Sequence, residues 1–378
     1  MKAKLTIAVN CWILRNKAVD GIGIFTIETF RQMIADHPEI DFMLLCDKNF
    51  TEDYFDFPNA KKYFIFPPYR HPLLYVFYME VVLGLFLRRH RPDIFVGVDG
   101  FLCLSSKTRQ LPVIHDLNFE HSPKDLPFRN RVYYRTFFKR FARKATRIAT
   151  VSEYSKKDIV QLYGTECGKI DVISLGIKTI FSPLAMDQQE KVRQRFTGGE
   201  DYFLFVGSMH PRKNILRLMA AFELFKASTG SSFKLMLAGN ILWDDTDIKA
   251  QLEKMLYKDA VVFTGRVTDA DLQDVMGSAF CLSFVPLFEG FGLPIVEAFQ
   301  AGIPVICSNI TSMPEVAADA ALLVDPYDVE EIAAAMKKIT TEDMLRAGLV
   351  AKGKERAGMF TWKKTAGLLF ESILKTIG

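Results

Sequence analysis

The sequence predicts an α/β protein of two doubly wound domains, each a parallel sheet with helices on both faces. Short apolar runs alternate with longer amphipathic segments in both halves of the chain, which is the pattern of successive strand–helix–strand units. The chain has 378 residues, 49% hydrophobic and 24% charged, so it is too long for one ordinary domain and can supply two cores. A polar stretch at 180–200 separates the halves, and we expect domains at 1–180 and 181–360.

Each predicted element is an apolar run bounded by polar or turn-forming residues. The predicted strands lie at residues 5–9, 42–46, 94–98, 112–114, 148–151 and 170–173 in the first half, and at 202–206, 234–238, 261–264, 280–283, 305–307 and 321–324 in the second. Helices are predicted between them, among others at 24–35, 131–143, 215–226, 270–276, 294–301 and 329–338. Because open α/β sheets bind ligands at the carboxyl ends of their strands, we expect the two domains to face each other across a ligand-binding cleft.

The composition narrows the class of protein. The six cysteines are scattered, without a Cys-x-x-Cys pair, and several lie in apolar runs, so we expect buried free thiols in a reducing, cytoplasmic compartment. A strand-like run begins within a few residues of Met1, so we expect no signal peptide. The apolar run at 73–87 is shorter than a membrane span and carries Glu80, so we expect a core or interfacial helix there.

Two glutamates flank a glycine turn in LFEGFGLPIVEAFQAGIPVICS, residues 287–308. Pro294 and Gly302 are typical of the start and end of a short helix, which places Glu297 in its first turn and Glu289 in the loop before it. Two carboxylates beside a helix N-terminus can hold a polyhydroxy, phosphorylated ligand, with the diol on the carboxylates and the phosphate near the backbone. The alternative is that Glu289 is a solvated loop residue and that Glu297 caps backbone groups.

The stretch FLFVGSMHPRKN places two cations after a predicted strand. The strand ends before Gly207, and Arg212 and Lys213 precede the next helix. The arginine can act as a bidentate fork and the lysine as a point charge, so together they could neutralise a diphosphate leaving group. The alternative is a pair of solvated surface charges.

Two loops of the first half also follow predicted strands. His115 and Asp116 come directly after 112–114, and Gly21 and Gly23 lie between the first strand and the helix at 24–35, where glycines let the backbone approach a phosphate. The alternatives are a structural, hydrogen-bonded histidine and an ordinary tight turn, since the third glycine of the dinucleotide fingerprint is missing. No group of His, Cys and carboxylate residues has metal-ligand spacing, so we expect no metal and no cofactor.

Together these motifs resemble the retaining glycosyltransferases of family 4, the "group 1" glycosyl transferases with the GT-B architecture. EGFGLPIVEA resembles that family's E-x7-E signature, and SMHPRKN resembles its phosphate loop. VIHDLNF resembles its histidine loop, GIGIFT its glycine loop, TVSEYSKKDI a strand–helix of its N-terminal domain and MPEVAADAALLVDPYD its penultimate strand segment. The resemblance implies two Rossmann-like domains, an acceptor-binding one at 1–180 and a nucleotide-sugar-binding one at 181–360, with a last helix at 361–378 that returns to the first.

The resemblance also implies a role for each motif residue. Glu297 would bind the ribose hydroxyls, and Glu289 would lie by the transferred sugar. Arg212 and Lys213 would hold the diphosphate, and His115 would contact the donor sugar near the reaction centre. The other donor-binding residues that it implies belong to the glycine turns and the signature: Gly21, Gly23, Gly207, Gly290, Phe291, Gly292 and Leu293.

The sequence departs from the family pattern at Ser208, where many members carry an arginine. Either Arg212 supplies that charge or the diphosphate is held differently. The implied reaction moves a hexose from a nucleoside diphosphate to an acceptor hydroxyl with retention. Because the diphosphate is already a good leaving group, electrostatic stabilisation without a metal should suffice.

The donor that the resemblance suggests is GDP-mannose, because the segments PRKN and EGFGLPIVEAF resemble those of the bacterial mannosyltransferase branch. The expected acceptor is a saccharide or a lipid-linked saccharide in bacterial surface polysaccharide or glycolipid biosynthesis. Two alternatives stay open at this point. One is another GT-B enzyme, such as a sugar-nucleotide epimerase, and the other is a catalytically silent sugar-binding subunit.

The stretch at 129–147, RNRVYYRTFFKRFARKATR, combines eight Arg/Lys and five aromatic residues with no acid. It lies in a basic half: residues 1–180 carry 27 Lys+Arg and 19 Asp+Glu, whereas residues 181–378 carry 21 and 25. Its apolar positions are expected on one helix face, Val132, Phe137, Phe138 and Phe141. This helix could lie on the inner face of an anionic membrane, as a peripheral contact, or dock on the core with a solvated basic face. Nucleic acid is not expected as a partner, since no stacking platform or recognition motif accompanies these charges.

Overall fold

The structure is a computed structural model that describes residues 4–15, 19, 21–47, 53–65, 72–178, 180–240 and 246–378. The chain divides into two compact units, one formed by Met1–Gly176 with Thr361–Gly378 and the other by Ile177–Phe360. The division lies close to the boundary expected at residue 180, and each unit has a sheet of its own. No helix within the described ranges is both long and apolar enough to cross a membrane.

Strands and helices alternate along both units. The strands are β1 Thr6–Asn10, β2 Asp41–Cys46, β3 Ala60–Phe64, β4 Ile94–Gly97, β5 Arg109–Ile114, β6 Ile148–Thr150, β7 Ile170–Val172, β8 Tyr202–Val206, β9 Lys234–Ala238, β10 Val261–Gly265, β11 Cys281–Phe284, β12 Val305–Ser308 and β13 Leu322–Val324. The α-helices are α1 Gly21–Asp36, α2 Pro72–Phe77, α3 Leu83–His90, α4 Asn118–His121, α5 Phe128–Lys144, α6 Glu153–Tyr163, α7 Met186–Thr197, α8 Ile215–Thr229, α9 Thr246–Lys254, α10 Asp269–Gly277, α11 Leu293–Ala301, α12 Met313–Ala317, α13 Val329–Thr341, α14 Asp343–Ala357 and α15 Trp362–Ile377. A π-helical turn, Tyr78–Val82, joins α2 to α3, and the 3-10 turns are Trp12–Arg15, Pro123–Asp125, Cys167–Lys169, Pro211–Lys213 and Lys258–Ala260.

The first unit is built on a parallel sheet with the strand order β3-β2-β1-β4-β5-β6-β7. The six strands expected in this half are confirmed, with ends that differ by a few residues. β1 pairs with β2 on one side and with β4 on the other, so the strand order reverses there. In doubly wound sheets this reversal opens a crevice at the carboxyl ends of the two strands, which here are β1 and β4.

The last helix, α15, packs within the first unit. It contacts α1 and β5, and its Leu369 and Ile373 are fully buried. The Thr365 hydroxyl donates a hydrogen bond of 2.7 Å to the Ser174 carbonyl. An added Cβ on Gly176 would lie 2.3 Å from the backbone nitrogen of the residue that begins α15, so only glycine fits there. The final helix therefore stands in the unit where the resemblance also placed it.

The second unit has a parallel sheet with the order β10-β9-β8-β11-β12-β13. All six strands expected in this half are confirmed. Here β8 pairs with β9 on one side and with β11 on the other, so the crevice of this sheet opens between β8 and β11. The loops that follow these two strands hold the signature motifs of the sequence.

Four details of the sequence analysis need correction. β3 was missed, because its side chains are exposed or half-buried and show no apolar run. The stretch at 180–200 was expected to be a connection, but most of it forms the polar helix α7. α1 begins at Gly21, so Gly21 and Gly23 lie in its first turn and not in a loop before it. α11 begins at Leu293 after a left-handed Gly292, which moves Glu297 into the second turn of that helix.

The basic stretch at 129–147 forms most of α5. Phe138 and Phe141 are buried in the core of the first unit, and Phe137 is packed against that core. Val132 was expected on the same face but is exposed. The packing fits the core-docked alternative, and a membrane contact of this helix stays a prediction. The cysteines are free thiols, five of them buried and Cys167 exposed.

Candidate functional site

The loops after β8 and β11 lie side by side because their strands are neighbours in a parallel sheet. The backbone N–H of Leu287 donates to the Arg212 carbonyl at 2.8 Å, which fixes one loop on the other. Asn214 ends the 3-10 turn in a left-handed conformation (φ 64°), which asparagine tolerates better than most residues. Its buried side-chain amide donates to the carbonyls of Val285 and Pro326 at 3.0 and 2.7 Å. The polar residues of this crevice are therefore held by a rigid backbone frame.

The backbones at the ends of β8 and β9 approach each other closely. Gly207 and Gly239 both have φ near +150°, at 145° and 149°. A Cβ on Gly239 would lie 1.8 Å from the Gly207 carbonyl oxygen, so a side chain there is excluded. Gly207 was expected at the site, whereas Gly239 was missed. The signal for it is a glycine directly after the apolar run of β9.

Arg212, Lys213 and Glu289 form an ion triad in this crevice. The Arg212 guanidinium donates to the Glu289 carboxylate at 2.5 Å and to the Phe288 carbonyl at 3.0 Å. The Lys213 ammonium donates to the same carboxylate oxygen and lies 5.0 Å from the centre of the Phe284 ring. Lys213 is buried and the other two side chains are largely so. The interpretation of these residues as solvated surface charges is therefore wrong.

The triad has a net charge of +1 in a largely buried environment. Burial acts to raise the pKa of Glu289, but the charges of Lys213 and Arg212 outweigh it and hold that pKa below its usual value. The carboxylate is therefore ionised at neutral pH. Two cations that share one carboxylate can still attract an anion, and a diphosphate with more negative charge would compete with Glu289 for them.

Glu297 has the opposite environment. It lies on α11 with 9% of its surface exposed, and within the described residues no hydrogen bond or ion pair reaches its carboxylate. Burial raises its pKa to about 7, helped by Asp269 and opposed by Lys178. Lys178 instead makes an ion pair of 2.7 Å with Asp269. The alternative that Glu297 caps backbone groups is wrong, because α11 begins at Leu293 and no backbone N–H within the described residues donates to the Glu297 carboxylate.

The rest of the signature shapes the turn before α11. Gly292 has φ 96°, and a Cβ on it would lie 2.6 Å from the terminal methyl group of Met313. Phe291 is buried and packs edge-on against Phe360, with ring centres 5.6 Å apart. Gly290 is buried beside them, and Leu293 is the first residue of α11. These residues fix the direction of α11, and none of their side chains offers a polar group.

In the first unit, His115 follows β5 directly. Its Nε2 lies 2.9 Å from the Val98 carbonyl, which can only accept, so the proton is on Nε2. The imidazole packs edge-on against Phe25 of α1, with ring centres 5.0 Å apart. Asp116 accepts the backbone N–H of Asn118 and so helps to start α4. Gly21 is exposed and Gly23 is buried at the first turn of α1.

A polar pair at the switch point of the first sheet was missed. Asn10, the last residue of β1, is fully buried, and its amide donates to the Asp99 carboxylate at 2.8 Å. Burial raises the pKa of Asp99 to about 6, although its hydrogen bonds act in the opposite direction. The signal for it is the Asp-Gly pair that follows the apolar run of β4. A carboxyl group of this kind can accept a hydrogen bond from a hydroxyl group near neutral pH.

The described residues contain no group of three His, Cys, Asp or Glu side chains that is placed to hold a metal ion. The polar groups of both crevices are instead cations, single carboxylates and backbone groups.

Comparison with known proteins identifies the family to which the chain belongs. Residues 186–356 match the family described as Glycosyl transferases group 1, and residues 19–180 match Glycosyltransferase Family 4. The O-antigen chain mannosyltransferase B of Escherichia coli is 31% identical over 278 residues, which cover 73% of this chain and 73% of that protein.

Two solved structures share the fold at low sequence identity. Sucrose-phosphate synthase from Thermosynechococcus elongatus has a TM-score of 0.79 and 18% identity, with 98% of this chain and 99% of that chain covered. HepE from Anabaena, solved with UDP-glucose, has a TM-score of 0.76 and 16% identity, with 98% and 99% covered. The fold is therefore the GT-B class of two Rossmann-like domains. The chain belongs to the family 4, group 1 glycosyltransferases.

Proposed function

We propose that the protein transfers a hexose from a nucleoside diphosphate to an acceptor hydroxyl, with retention at the anomeric carbon and without a metal ion. The observation that carries this proposal is the ion triad at the crevice between β8 and β11. It puts two cations at the crevice of a doubly wound sheet, which is where such sheets bind nucleotides. The UDP-glucose in the structurally similar HepE supports a nucleotide sugar as the donor.

In the proposed complex, Arg212 and Lys213 bind the diphosphate, and Glu289 turns from them toward the transferred sugar. The cations stabilise the negative charge that grows on the departing diphosphate. Because the diphosphate is already a good leaving group, this electrostatic stabilisation is the main contribution to catalysis. The leaving phosphate takes the acceptor proton on the same face. No side chain acts as a covalent nucleophile in this mechanism.

Glu297 binds the ribose in this proposal. Its buried carboxylate lacks a hydrogen-bonding partner within the described residues, and such a group is costly unless a ligand satisfies it. A vicinal diol supplies two donors to one carboxylate. The first unit contributes His115 to the donor sugar, Gly21 and Gly23 to its phosphates, and a site for the acceptor; these roles follow the family resemblance.

The proposed donor is GDP-mannose, and the proposed product belongs to a bacterial surface polysaccharide or glycolipid. The support is the name of the similar Escherichia coli protein, an O-antigen chain mannosyltransferase. A second relative, RfbU of Salmonella typhimurium, is also named an O-antigen chain mannosyltransferase and is 31% identical over 61% of this chain and 60% of its own length.

The first experiment is a thermal-shift series with GDP, UDP and ADP. A nucleotide at 100 times its dissociation constant adds about 2.7 kcal/mol to the free energy of unfolding, which raises the melting temperature measurably. The matched variants are Lys213→Met and Lys337→Met, since Lys337 is an exposed lysine of the same unit. We expect the shift to persist in the second variant and to fall in the first. A series without any stabilising nucleotide would contradict the proposal.

The second experiment separates transfer from the alternatives. GDP-mannose is incubated with and without a mannose-terminated acceptor, and release of GDP is followed by chromatography. Release of GDP supports a transferase, including slow hydrolysis without acceptor. Conversion of the sugar with no GDP released would indicate an epimerase, and binding with no turnover would indicate a silent subunit. The anomeric configuration of the product, read by NMR, tests retention.

A further inference from the structure

The helix at residues 72–90, formed by α2, the π-helical turn and α3, exposes a row of apolar side chains. This apolar stripe consists of Leu74, Phe77, Val81 and Leu85, whose exposed fractions lie between 40% and 61%. The opposite face is buried in the core of the first unit through Tyr78, Met79, Leu83 and Leu87. Because that buried face fixes the orientation of the helix, the exposure of the stripe is a fixed property of the surface.

A basic pocket adjoins the stripe. This pocket has a volume of about 780 Å³, and Val81 and Leu85 of the stripe form part of its wall. Its cations are Arg88, Arg91 and Lys107, all exposed, and none of the three pairs with a carboxylate within the described ranges. Arg91 ends α3 in a left-handed conformation (φ 47°), a position that usually favours glycine.

The carboxylate of the acidic residue in the pocket already accepts hydrogen bonds from the backbone. Glu80, on the π-helical turn, accepts the backbone N–H groups of Leu104 and Ser105 at 2.8 and 2.7 Å, one on each carboxylate oxygen. These bonds fix the loop before β5 against the helix and so build the wall of the pocket. The three cations beside it leave the pocket with net positive charge.

The pocket lies away from the crevice of the first sheet. Arg91 precedes β4 and Lys107 precedes β5, so both lie at the amino ends of strands. Asp99 and His115 follow those same strands at the carboxyl edge. The basic pocket and the crevice therefore lie at opposite ends of the strands of one sheet. A ligand of the pocket is thus not the donor or the acceptor hydroxyl of the proposed reaction.

We propose that the apolar stripe and the basic pocket form one docking surface for an anionic phospholipid bilayer. An interfacial helix buries apolar side chains at the boundary of headgroups and acyl chains while nearby cations meet the anionic lipids. The stripe supplies the first element and the pocket the second. The phosphate of a lipid headgroup is the group that the three cations bind, and the protein docks with the helix parallel to the membrane surface.

The charge of the molecule favours this occupant over a second copy of the chain. Arg88, Arg91 and Lys107 have no paired carboxylate within the described ranges, so two copies docked through this face would bring like charges together. A bilayer with anionic lipids attracts the same face, and each cation near such a surface strengthens binding roughly five-fold.

The test is cosedimentation of the full chain with two kinds of vesicle, phosphatidylcholine alone and phosphatidylcholine with phosphatidylglycerol. The stripe variant is Phe77→Ser with Leu85→Ser, and the pocket variant is Arg88→Ser with Lys107→Ser. All four positions are exposed, so the fold should survive, and far-UV circular dichroism checks this.

Matched control variants change the same residue types elsewhere on the surface. Leu256→Ser with Met344→Ser alters two side chains of the second unit that are each 87% exposed. Lys139→Ser with Arg143→Ser removes two exposed cations of α5. The α5 variant also decides between the two basic surfaces of the first unit.

We expect binding to the anionic vesicles only, reduced about ten-fold or more by the stripe and pocket variants and within two-fold of the parent in both controls. Equal binding to neutral vesicles, or stripe and pocket variants that bind like the parent, would overturn the proposal. So would loss of binding in the α5 variant. Inorganic phosphate that raises the melting temperature of a protein that binds no vesicles would instead reveal a soluble-anion site and would also overturn it.

Discussion

Glu297→Gln should remove a pH dependence from nucleoside diphosphate binding. The carboxyl group of Glu297 has a pKa of about 7 in the unliganded protein, raised from a usual value of 4.5 by burial. If the ionised form accepts both ribose hydroxyls, the nucleotide binds the ionised protein better and lowers that pKa. Binding then weakens as the pH falls below about 7, because a proton must be removed first.

The expected magnitude follows from the ionised fraction. With a pKa of about 7, roughly nine-tenths of Glu297 is ionised at pH 8 and roughly one-tenth at pH 6. The dissociation constant should therefore rise about ten-fold over that interval if only the ionised form binds. The raised pKa also means that the folded protein holds this proton to higher pH than the unfolded chain. This group's contribution to the free energy of unfolding accordingly declines as the pH rises from about 4.5 to about 7.

Isothermal titration calorimetry at pH 6, 7 and 8 measures this change in the dissociation constant directly. The phosphate groups of the nucleotide titrate in the same range, so the parent protein is compared with Glu297→Gln, which keeps the shape of the side chain and loses the titration. We expect the variant to bind the nucleotide more weakly and its dissociation constant to vary less with pH. Parallel profiles for the two proteins would refute the assignment of Glu297 to the ribose.

Four further predictions test other parts of the molecule. Lys213→Met should weaken diphosphate binding by about 1.5–3 kcal/mol in calorimetry while a nucleoside without phosphates is bound as before, because the variant removes a charged hydrogen-bond donor. Excess EDTA should leave turnover largely intact, and activity that returned only with magnesium or manganese would contradict the proposed role of the cations. Gly176→Ala should lower the free energy of unfolding by about 1–3 kcal/mol, since its Cβ would overlap the backbone of Trp362, whereas Gly168→Ala meets nothing within 4 Å and should change it little. Deletion of 361–378 should expose the apolar surface that α15 covers and abolish transfer; a soluble, fully active truncated chain would show that this helix is dispensable.

The order of the strands and most helices could be predicted because buried elements leave a strong pattern in a sequence. The failures occurred where that pattern was weak. β3 contains AKKYF with every side chain at least partly exposed, so no apolar run marks it as a strand. α7 is polar over most of its length and buries only Val192 and Thr197, so its composition is that of a linker. Its boundaries are set by the left-handed Gly198 and by packing that a sequence does not display.

The candidate residues of the site could be named from the sequence, but the ion pairs between them could not be predicted. The family resemblance implied a place for Glu289 by the transferred sugar, but no sequence pattern distinguishes a solvated carboxylate from one bound to both Arg212 and Lys213. Gly239 was missed because the requirement for glycine at this position comes from the carbonyl oxygen of Gly207, which follows a different strand. Asp99 escaped for a similar reason, since its partner Asn10 is far away in sequence.

The two glutamates of the signature differ in environment, and that difference favours different roles for them. Glu289 is held by two cations, which keep its pKa low, so it is ionised in the unliganded protein. Glu297 is buried without such a partner within the described residues, and its pKa is raised to about 7. Two carboxyl groups whose environments push their pKa values apart are suited to different tasks. In the proposed complex, a ligand with a diphosphate and a diol would complement both: the diphosphate would take over the cations from Glu289, and the diol would give Glu297 the hydrogen bonds that it lacks. The diphosphate half of the nucleotide would neutralise the net positive charge of the triad, and the nucleoside half would supply the hydrogen bonds that Glu297 lacks. We therefore expect nucleoside and diphosphate fragments each to bind weakly and the intact nucleotide to bind far more strongly.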